Sequence, residues 1–162
     1  MYFALFICFV ISQRLLELAV ARRNEKWSRS RGAIEYGQGH YPFIVLLHTC
    51  FIISMILEYW LNSGNFNLII MLVFILLISL KVWVISSLGK YWNTKILRIP
   101  DAPLIKKGPF KLFKHPNYFI VICEIMVIPM VFNLYITAII FTVLNAVMLI
   151  VRIKVEEGVL YL

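Results

Sequence analysis

Two short segments of this sequence carry the side chains that could do chemistry. The first runs from Lys106 to Tyr118, reads KKGPFKLFKHPNY and contains His115. The second lies near the C-terminus, where Arg152 and Glu156 are four residues apart and Glu157 follows. Four residues make about one helical turn, so a helix through this segment places Arg152 and Glu156 on one face. The two segments therefore offer cations, carboxylates, an imidazole and a phenol to a small polar ligand.

Motifs of several enzyme classes are absent from the sequence. It contains no Walker loop, no GxGxxG, no GxSxG and no HExxH. A metal centre needs several converging ligands, and the three histidines lie in distant segments, so no metal site is predicted. What remains is a group-transfer site for an anionic or zwitterionic cofactor, with an apolar flank open to a lipid-soluble substrate. Trp92 and Asn93, in a neighbouring polar segment, are predicted to contact that substrate.

The composition places the chain in a membrane. Of its 162 residues 62% are hydrophobic and 15% charged, whereas soluble domains are about 45–50% apolar and about 25% charged. A compact unit of this size cannot hide that much apolar surface from water, so lipid must cover much of it. The net charge of +8 is accordingly attributed to loops facing anionic headgroups, and no nucleic-acid partner is predicted.

The apolar runs predict an all-α, integral-membrane bundle of about five helices in a single domain covering residues 1–162. Pro42 suits the first turn of the second span, and turns are predicted at residues 62–65 and at Asn133. The fourth run is short, and we expect it to form a helical hairpin with the fifth. The polar stretch 22–40 is expected to be an interfacial loop, with room for a short amphipathic helix on the membrane surface. The predicted spans are 2–21, 41–61, 66–88, 117–132 and 134–151.

The distribution of cations predicts the orientation. Fourteen of the sixteen Lys and Arg residues fall in the segments 22–40, 89–116 and the C-terminal tail. By the positive-inside rule these segments face the cytoplasm. A multi-pass protein of the cell membrane is therefore predicted, with its N-terminus outside, its C-terminus inside and its active site on the cytoplasmic face.

Ionisable side chains also occur inside the apolar runs, where an uncompensated charge is costly. Arg14 and Glu17, three residues apart, predict an ion pair. Lys81 is expected to extend toward the headgroups. Glu124 must be protonated, paired or turned toward a polar cavity, and the last alternative makes it a candidate substrate-binding residue.

Several motifs, taken in chain order, resemble the isoprenylcysteine carboxyl methyltransferase family of integral-membrane enzymes. That family carries a G-P-Y-x-x-x-R-H-P-x-Y block and a C-terminal R-x-x-x-E-E. The full-length pattern is similar to small bacterial members that O-methylate alkylpyrones made by type III polyketide synthases. The motifs are Leu88–Trp92 (LGKYW), Leu104–Gly108 followed by Pro109 and Phe110, Lys114–Tyr118 (KHPNY), and Arg152 with Glu156 and Glu157.

Three features depart from the family pattern. Lys114 replaces the usual Arg, which keeps the charge but loses the planar fork. The segment 101–103 stands where many relatives place a His. The sequence also ends at Leu162, where relatives continue with a Tyr-rich segment, so we expect part of the cofactor's cover to differ.

The resemblance implies S-adenosylmethionine as cofactor and assigns roles to the polar residues. It implies cofactor binding by Lys114, His115 and Tyr118, with Glu156 and Glu157 facing the amino and sulfonium groups. Arg152, with Glu156, would be catalytic and steady the developing anion on the acceptor oxygen. The implied partners are a lipophilic small-molecule acceptor, membrane lipids and a type III polyketide synthase.

Other interpretations of the same residues stay open. His115 can be a helix cap, Arg152 and Glu156 a surface pair, and the lysines contacts to lipid phosphates. Two other function classes also fit a small membrane bundle, namely an NADPH-dependent lipid reductase and a non-enzymatic scaffold. Turnover that depends on His115 and Arg152 would exclude the scaffold, and a direct comparison of cofactor binding would separate the two enzymes.

Overall fold

A computed structural model of the chain describes residues 1–103 and 105–160. Leu104, which belongs to one motif of the family resemblance, and the chain end at Leu162 lie outside the described residues. Five α-helices make up most of the structure, and the predicted all-α membrane bundle is confirmed. The helices are α1 (Tyr2–Arg29), α2 (Tyr41–Asn62), α3 (Leu68–Leu88), α4 (Pro116–Met130) and α5 (Tyr135–Leu160).

Four of these helices, α1, α2, α3 and α5, are long and apolar enough to cross a membrane. The helix α4 has 15 residues, which gives it a length of about 22 Å at 1.5 Å per residue. That length is short of the roughly 30 Å hydrocarbon core. The fourth predicted span is therefore an apolar helix too short to cross the hydrocarbon core. It packs against α3 and α5, and more than half of its residues are buried.

The first helix is longer than the sequence pattern indicated. The segment 22–40 was expected to be an interfacial loop, but α1 continues without a break to Arg29. The 28 residues of α1 extend about 42 Å, so its last turns project beyond the hydrocarbon core. No glycine or proline interrupts the helix before Gly32, which adopts a φ of +79°. A change from apolar to polar composition marks the membrane surface here, and the helix passes through it.

A two-stranded ribbon joins the two polar loops at this end of the molecule. The strand β1 (Ile34–Tyr36) pairs antiparallel with β2 (Ile96–Arg98), and Glu35 lies opposite Leu97. Runs of three residues are too short to show an alternation pattern, so this ribbon could not be predicted from hydropathy. It fastens the segment after α3 to the segment after α1.

The core lies toward the opposite end of the bundle and includes a cluster of aromatic rings among aliphatic side chains. The ring of Phe3 stacks on that of Tyr59 with centroids 3.7 Å apart, and Phe132 meets both rings edge-on. Asn133 forms the predicted turn with a φ of +55°, so α4 and α5 make the expected helical hairpin. The antiparallel hairpin places the first turn of α4 beside the last turns of α5, and the polar residues of both segments meet there.

Candidate active site

Three of the predicted site residues are joined by hydrogen bonds across the α4–α5 hairpin. Arg152 Nε donates to the hydroxyl of Tyr118 over 2.9 Å, and that hydroxyl donates to the carboxylate of Glu156. Arg152 is only 9% exposed. The phenol thus lies between the arginine and the glutamate, so the predicted surface pair does not describe this contact.

A second pair of contacts ties the start of α4 to Glu157. Its Oε1 accepts hydrogen bonds from Lys114 Nζ at 2.5 Å and from His115 Nε2 at 3.3 Å. His115 occupies the N-cap position of α4, but its side chain makes no capping hydrogen bond. Its ring instead stacks on Tyr118 with centroids 5.5 Å apart. All six residues predicted for catalysis or cofactor binding therefore lie together.

Trp92 and Asn93 are held in place by the C-terminal part of α1. Asn24, which is 2% exposed, donates from Nδ2 to the backbone oxygens of Gly89 and Trp92 at 3.1 and 2.8 Å. Asn93 Nδ2 donates to the backbone oxygen of Ala21 at 3.1 Å. The end of the predicted first span holds Asn93, and the extension of α1 beyond it holds Trp92.

The ribbon adds an ionic contact to the same part of α1. Lys95 Nζ contacts Glu25 Oε1 at 2.9 Å and Glu35 Oε1 at 3.5 Å. The hydrogen bond to the Glu25 carboxylate stabilises the ammonium form and raises the pKa of Lys95 above its ordinary value. The lysine next to Trp92 and Asn93 therefore stays charged at neutral pH.

Two cavities meet at these residues. The first, of about 150 Å³, is lined mainly by the polar loops and includes Lys114, His115 and Glu156. The second, of about 410 Å³, is mostly apolar and lies within the bundle between α1, α2 and α5. The same residues form a wall of both cavities, and we call them the shared wall: Trp92, Asn93, Asn117, Tyr118 and Arg152.

Two buried polar atoms of the shared wall have no hydrogen-bond partner within the described part of the chain. They are Trp92 Nε1, a donor, and Asn117 Oδ1, an acceptor. Buried polar groups are nearly always satisfied in folded proteins. Unsatisfied atoms between two cavities are therefore candidates for contacts to bound ligands.

Four charged residues inside the bundle form a cluster. Lys81 Nζ contacts Glu17 at 2.8 Å and Glu124 at 2.7 Å, and Arg14 contacts the same two carboxylates at 3.1 and 3.0 Å. Lys81 is 3% exposed, so the expectation that it extends toward the headgroups is wrong. A lysine next to two carboxylates gains more from pairing than from reaching the interface.

Glu124 lies behind the surface of the apolar cavity. Its side chain is fully buried, whereas Arg14, Glu17 and Lys81 line the cavity. Of the alternatives considered for Glu124, the structure shows pairing. Its contact with substrate stays a prediction, and any such contact would pass through Arg14 or Lys81.

Comparison with known proteins identifies the family. Residues 68–161, more than half of the chain, match the isoprenylcysteine carboxyl methyltransferase (ICMT) family. The chain belongs to this family. Membership indicates a membrane methyltransferase, in agreement with the four long apolar helices.

Two relatives of this ICMT family member extend the similarity over nearly the whole chain. The uncharacterized protein YpbQ of Bacillus subtilis is 45% identical over 98% of this chain and 96% of its own length. An uncharacterized protein of Haemophilus influenzae is 29% identical over 94% of this chain and 91% of its own length. No solved structure matches.

The ICMT-family motifs leave two asparagines of the cavities unassigned. Asn117 occupies the variable position of the KHPNY block and lies in the shared wall. Asn145 lies in α5 and lines the apolar cavity. A signal for Asn145 was present, because it lies seven residues, about two helical turns, before Arg152 and so shares its helical face.

Proposed function

We propose that this protein is an integral-membrane, S-adenosylmethionine-dependent methyltransferase that methylates an acidic oxygen of a lipophilic acceptor. One observation carries the proposal. A polar cavity and a larger apolar cavity share a wall that contains Tyr118 and Arg152. A methyl transfer needs a polar cofactor and an apolar acceptor to meet at one point, and this wall is such a point.

The polar cavity has the chemistry that the cofactor requires. S-adenosylmethionine carries an ammonium group and a sulfonium group, and bound to the protein it would supply an electrophilic methyl group. Glu156 lines the cavity, and Glu157 lies beside it in contact with His115. Carboxylates at this position favour cationic groups. The unsatisfied atoms Trp92 Nε1 and Asn117 Oδ1 offer a donor and an acceptor to the remaining polar groups.

The apolar cavity suits an acceptor that arrives from the membrane. Its lining includes Leu15 of α1 and Val45 and Ile53 of α2, which are 60%, 48% and 50% exposed. Apolar side chains with this exposure face lipid in a membrane bundle, so the cavity opens toward the bilayer between α1 and α2. An amphiphile entering there from the bilayer would not have to cross water.

Catalysis in this arrangement is positioning and electrostatics. Arg152 reaches the shared wall, where its positive charge stabilises an anionic acceptor oxygen and holds it in place. Tyr118 orients the guanidinium because its hydroxyl accepts a hydrogen bond from Nε of Arg152 and donates one to the carboxylate of Glu156. The acidic acceptor oxygen reacts as the anion, so its proton is lost before the transfer.

The resemblance to alkylpyrone-methylating members makes a long-chain alkylpyrone hydroxyl the first candidate acceptor, with a type III polyketide synthase as its source. A prenylcysteine-like carboxylate, which is also an acidic oxygen, is the second candidate. We place the site on the cytoplasmic face of the cell membrane because cations gather at this end of the bundle.

The test supplies purified protein with methyl-labelled S-adenosylmethionine and a lipid extract of the host. Label should enter the organic phase with the parent protein and with Lys154→Gln, which removes an exposed charge on α5 outside both cavities. It should be lost with Glu156→Gln. Binding of NADPH in place of S-adenosylmethionine, with no transfer of label, would instead favour the lipid reductase.

A further inference from the structure

Asn145 is a buried polar residue that the site described so far does not use. It lies in α5, is 2% exposed and lines the apolar cavity. Its Nδ2 has no hydrogen-bond partner among the described residues. An amide with an unsatisfied donor inside an apolar bundle destabilises the protein unless something else accepts that hydrogen bond.

The position of Asn145 indicates which ligand would accept a hydrogen bond from its Nδ2. Asn145, Leu149 and Arg152 all line the apolar cavity from one face of α5. Unlike Trp92 and Asn117, which belong to both cavities, Asn145 lines only the apolar one. A ligand that reaches Asn145 therefore occupies the acceptor side and lies deeper in the bundle than the shared wall.

We propose that Asn145 determines acceptor specificity by donating a hydrogen bond from Nδ2 to a second oxygen of the acceptor's head group. This inference rests on the proposed methyltransferase function and adds a property of the substrate. The acceptor carries a carbonyl or ring oxygen in addition to the oxygen that is methylated. A site with a buried donor discriminates strongly against analogues that lack the matching oxygen, because the donor is then left unpaired.

An oxygenated ring with a long alkyl chain has this chemistry. Its acidic hydroxyl would lie at Arg152 and its second oxygen at Asn145. The chain would cover the apolar side chains toward the lipid-facing opening, which include Leu15 and Val45. A hydroxypyrone with a long alkyl chain is therefore a suitable probe. An alkylphenol of the same chain length lacks both the ring oxygen and the carbonyl; because it is also a weaker acid, each probe is compared between parent and variant rather than with the other probe.

The variant that tests the proposal is Asn145→Leu. It removes the unsatisfied donor, and the adjacent cavity of about 410 Å³ leaves room for the branched side chain. Without ligand we expect the variant to melt at a higher temperature than the parent, since a buried unpaired polar group is gone. Asn145→Ala serves the same comparison if the leucine variant does not fold.

Thr142→Val provides a matched control from the same helix. The Oγ1 of Thr142 is also buried without a hydrogen-bond partner in the described structure, but Thr142 lines neither of the two cavities. Its replacement should leave the binding of every probe unchanged. The two variants thus separate the removal of a buried polar atom from the removal of a ligand contact.

Binding is measured as the thermal stabilisation of detergent-solubilised protein by each probe, without cofactor. We expect Asn145→Leu to bind the hydroxypyrone about tenfold more weakly than the parent, the effect of one lost hydrogen bond. Its affinity for the alkylphenol should not change. Equal hydroxypyrone affinity in parent and variant, or an equal loss for both probes, would overturn the role of Asn145.

Transfer of labelled methyl to the hydroxypyrone is measured separately. If the parent binds this probe through Asn145 but transfers label neither to it nor to the lipid extract, the proposed function fails and the assignment of Asn145 stands. If the parent transfers methyl to the hydroxypyrone and Asn145→Leu binds the probe as tightly as the parent does, the proposed function stands and the assignment of Asn145 fails. A parent that does not bind the hydroxypyrone overturns the assignment of Asn145, and the proposed function then fails only if no label enters the lipid extract.

Discussion

At the scale of single residues, the contact between Tyr118, Arg152 and Glu156 connects the two motifs of the sequence. Arginine and glutamate four residues apart on a helix often pair directly, although this order is the less favourable one. Here a phenol from another helix stands between them. The position of the guanidinium therefore depends on the packing of α4 against α5 as well as on α5 itself.

Arg152→Lys tests the role of the guanidinium. Lysine keeps the charge but lacks the planar guanidinium, which can donate one hydrogen bond to Tyr118 and others to an acceptor oxygen at the same time. We expect turnover to fall about a hundredfold, as when one donor to a developing charge is lost, with cofactor affinity changed less than threefold. Lys154→Gln is the control and should behave like the parent. Parent-like turnover in Arg152→Lys would remove Arg152 from the catalytic site.

His115→Ala tests the cofactor side. The imidazole contacts Glu157 and stacks on Tyr118, and it lines the polar cavity. Its loss should weaken S-adenosylmethionine binding about tenfold, in keeping with one hydrogen bond and its support of Glu157. The protein should remain folded, since the side chain makes no helix cap. Calorimetric titration measures the affinity, and an unchanged value would place the cofactor elsewhere.

At the scale of elements, hydrophobic runs predicted the number of helices and most of their boundaries. The predicted second span ends at residue 61 and the helix at Asn62. Pro42 and Pro116 lie in the first turns of α2 and α4 as their chemistry requires. The extension of α1 was missed because hydropathy reports where lipid ends, whereas helix continuation depends on the absence of breaking residues.

Contacts between elements were less accessible from the sequence. Lys81 and Glu124 lie 43 residues apart on different helices, and no periodicity relates them. The family resemblance brought Lys114, His115, Tyr118 and the C-terminal carboxylates together because its motifs encode one site. It carried no information on Asn24 or Asn145, whose roles depend on packing.

Glu124→Gln tests the buried ion cluster. The substitution replaces the fully buried carboxylate by a neutral amide, so Lys81 and Arg14 are left to share the negative charge of Glu17. Breaking a buried ion pair costs about 3 kcal/mol or more. We expect a clear fall in melting temperature in detergent. Arg29→Gln breaks an exposed pair instead and should cost about 1 kcal/mol or less. Normal stability with an altered Michaelis constant for the acceptor would show that Glu124 acts on substrate.

At the scale of the whole molecule, the residues of the candidate active site lie at one end of the bundle. The extension of α1, the ribbon, the start of α4 and the end of α5 lie there, and the aromatic core with the turns 63–67 and 131–134 lies at the other end. The proposed cofactor site thus faces an aqueous compartment, while the proposed acceptor cavity reaches into the hydrophobic part of the bundle. The positive charge at this end predicts that the compartment is the cytoplasm.

Two introduced cysteines test this orientation. In a background with Cys8, Cys50 and Cys123 replaced by alanine, Ser30→Cys marks the polar end and Ser63→Cys the opposite end; both serines are exposed. The helix α2 separates the ends by about 33 Å, so a reagent that cannot cross the membrane reaches one of them from each side. By the positive-inside rule, Ser63→Cys should react in intact cells and Ser30→Cys only after permeabilisation. The reversed pattern would place the site outside the cell. Reaction of both from one side would contradict the spanning arrangement of α2. It would also contradict the placement of the polar cavity toward water and of the apolar cavity toward lipid.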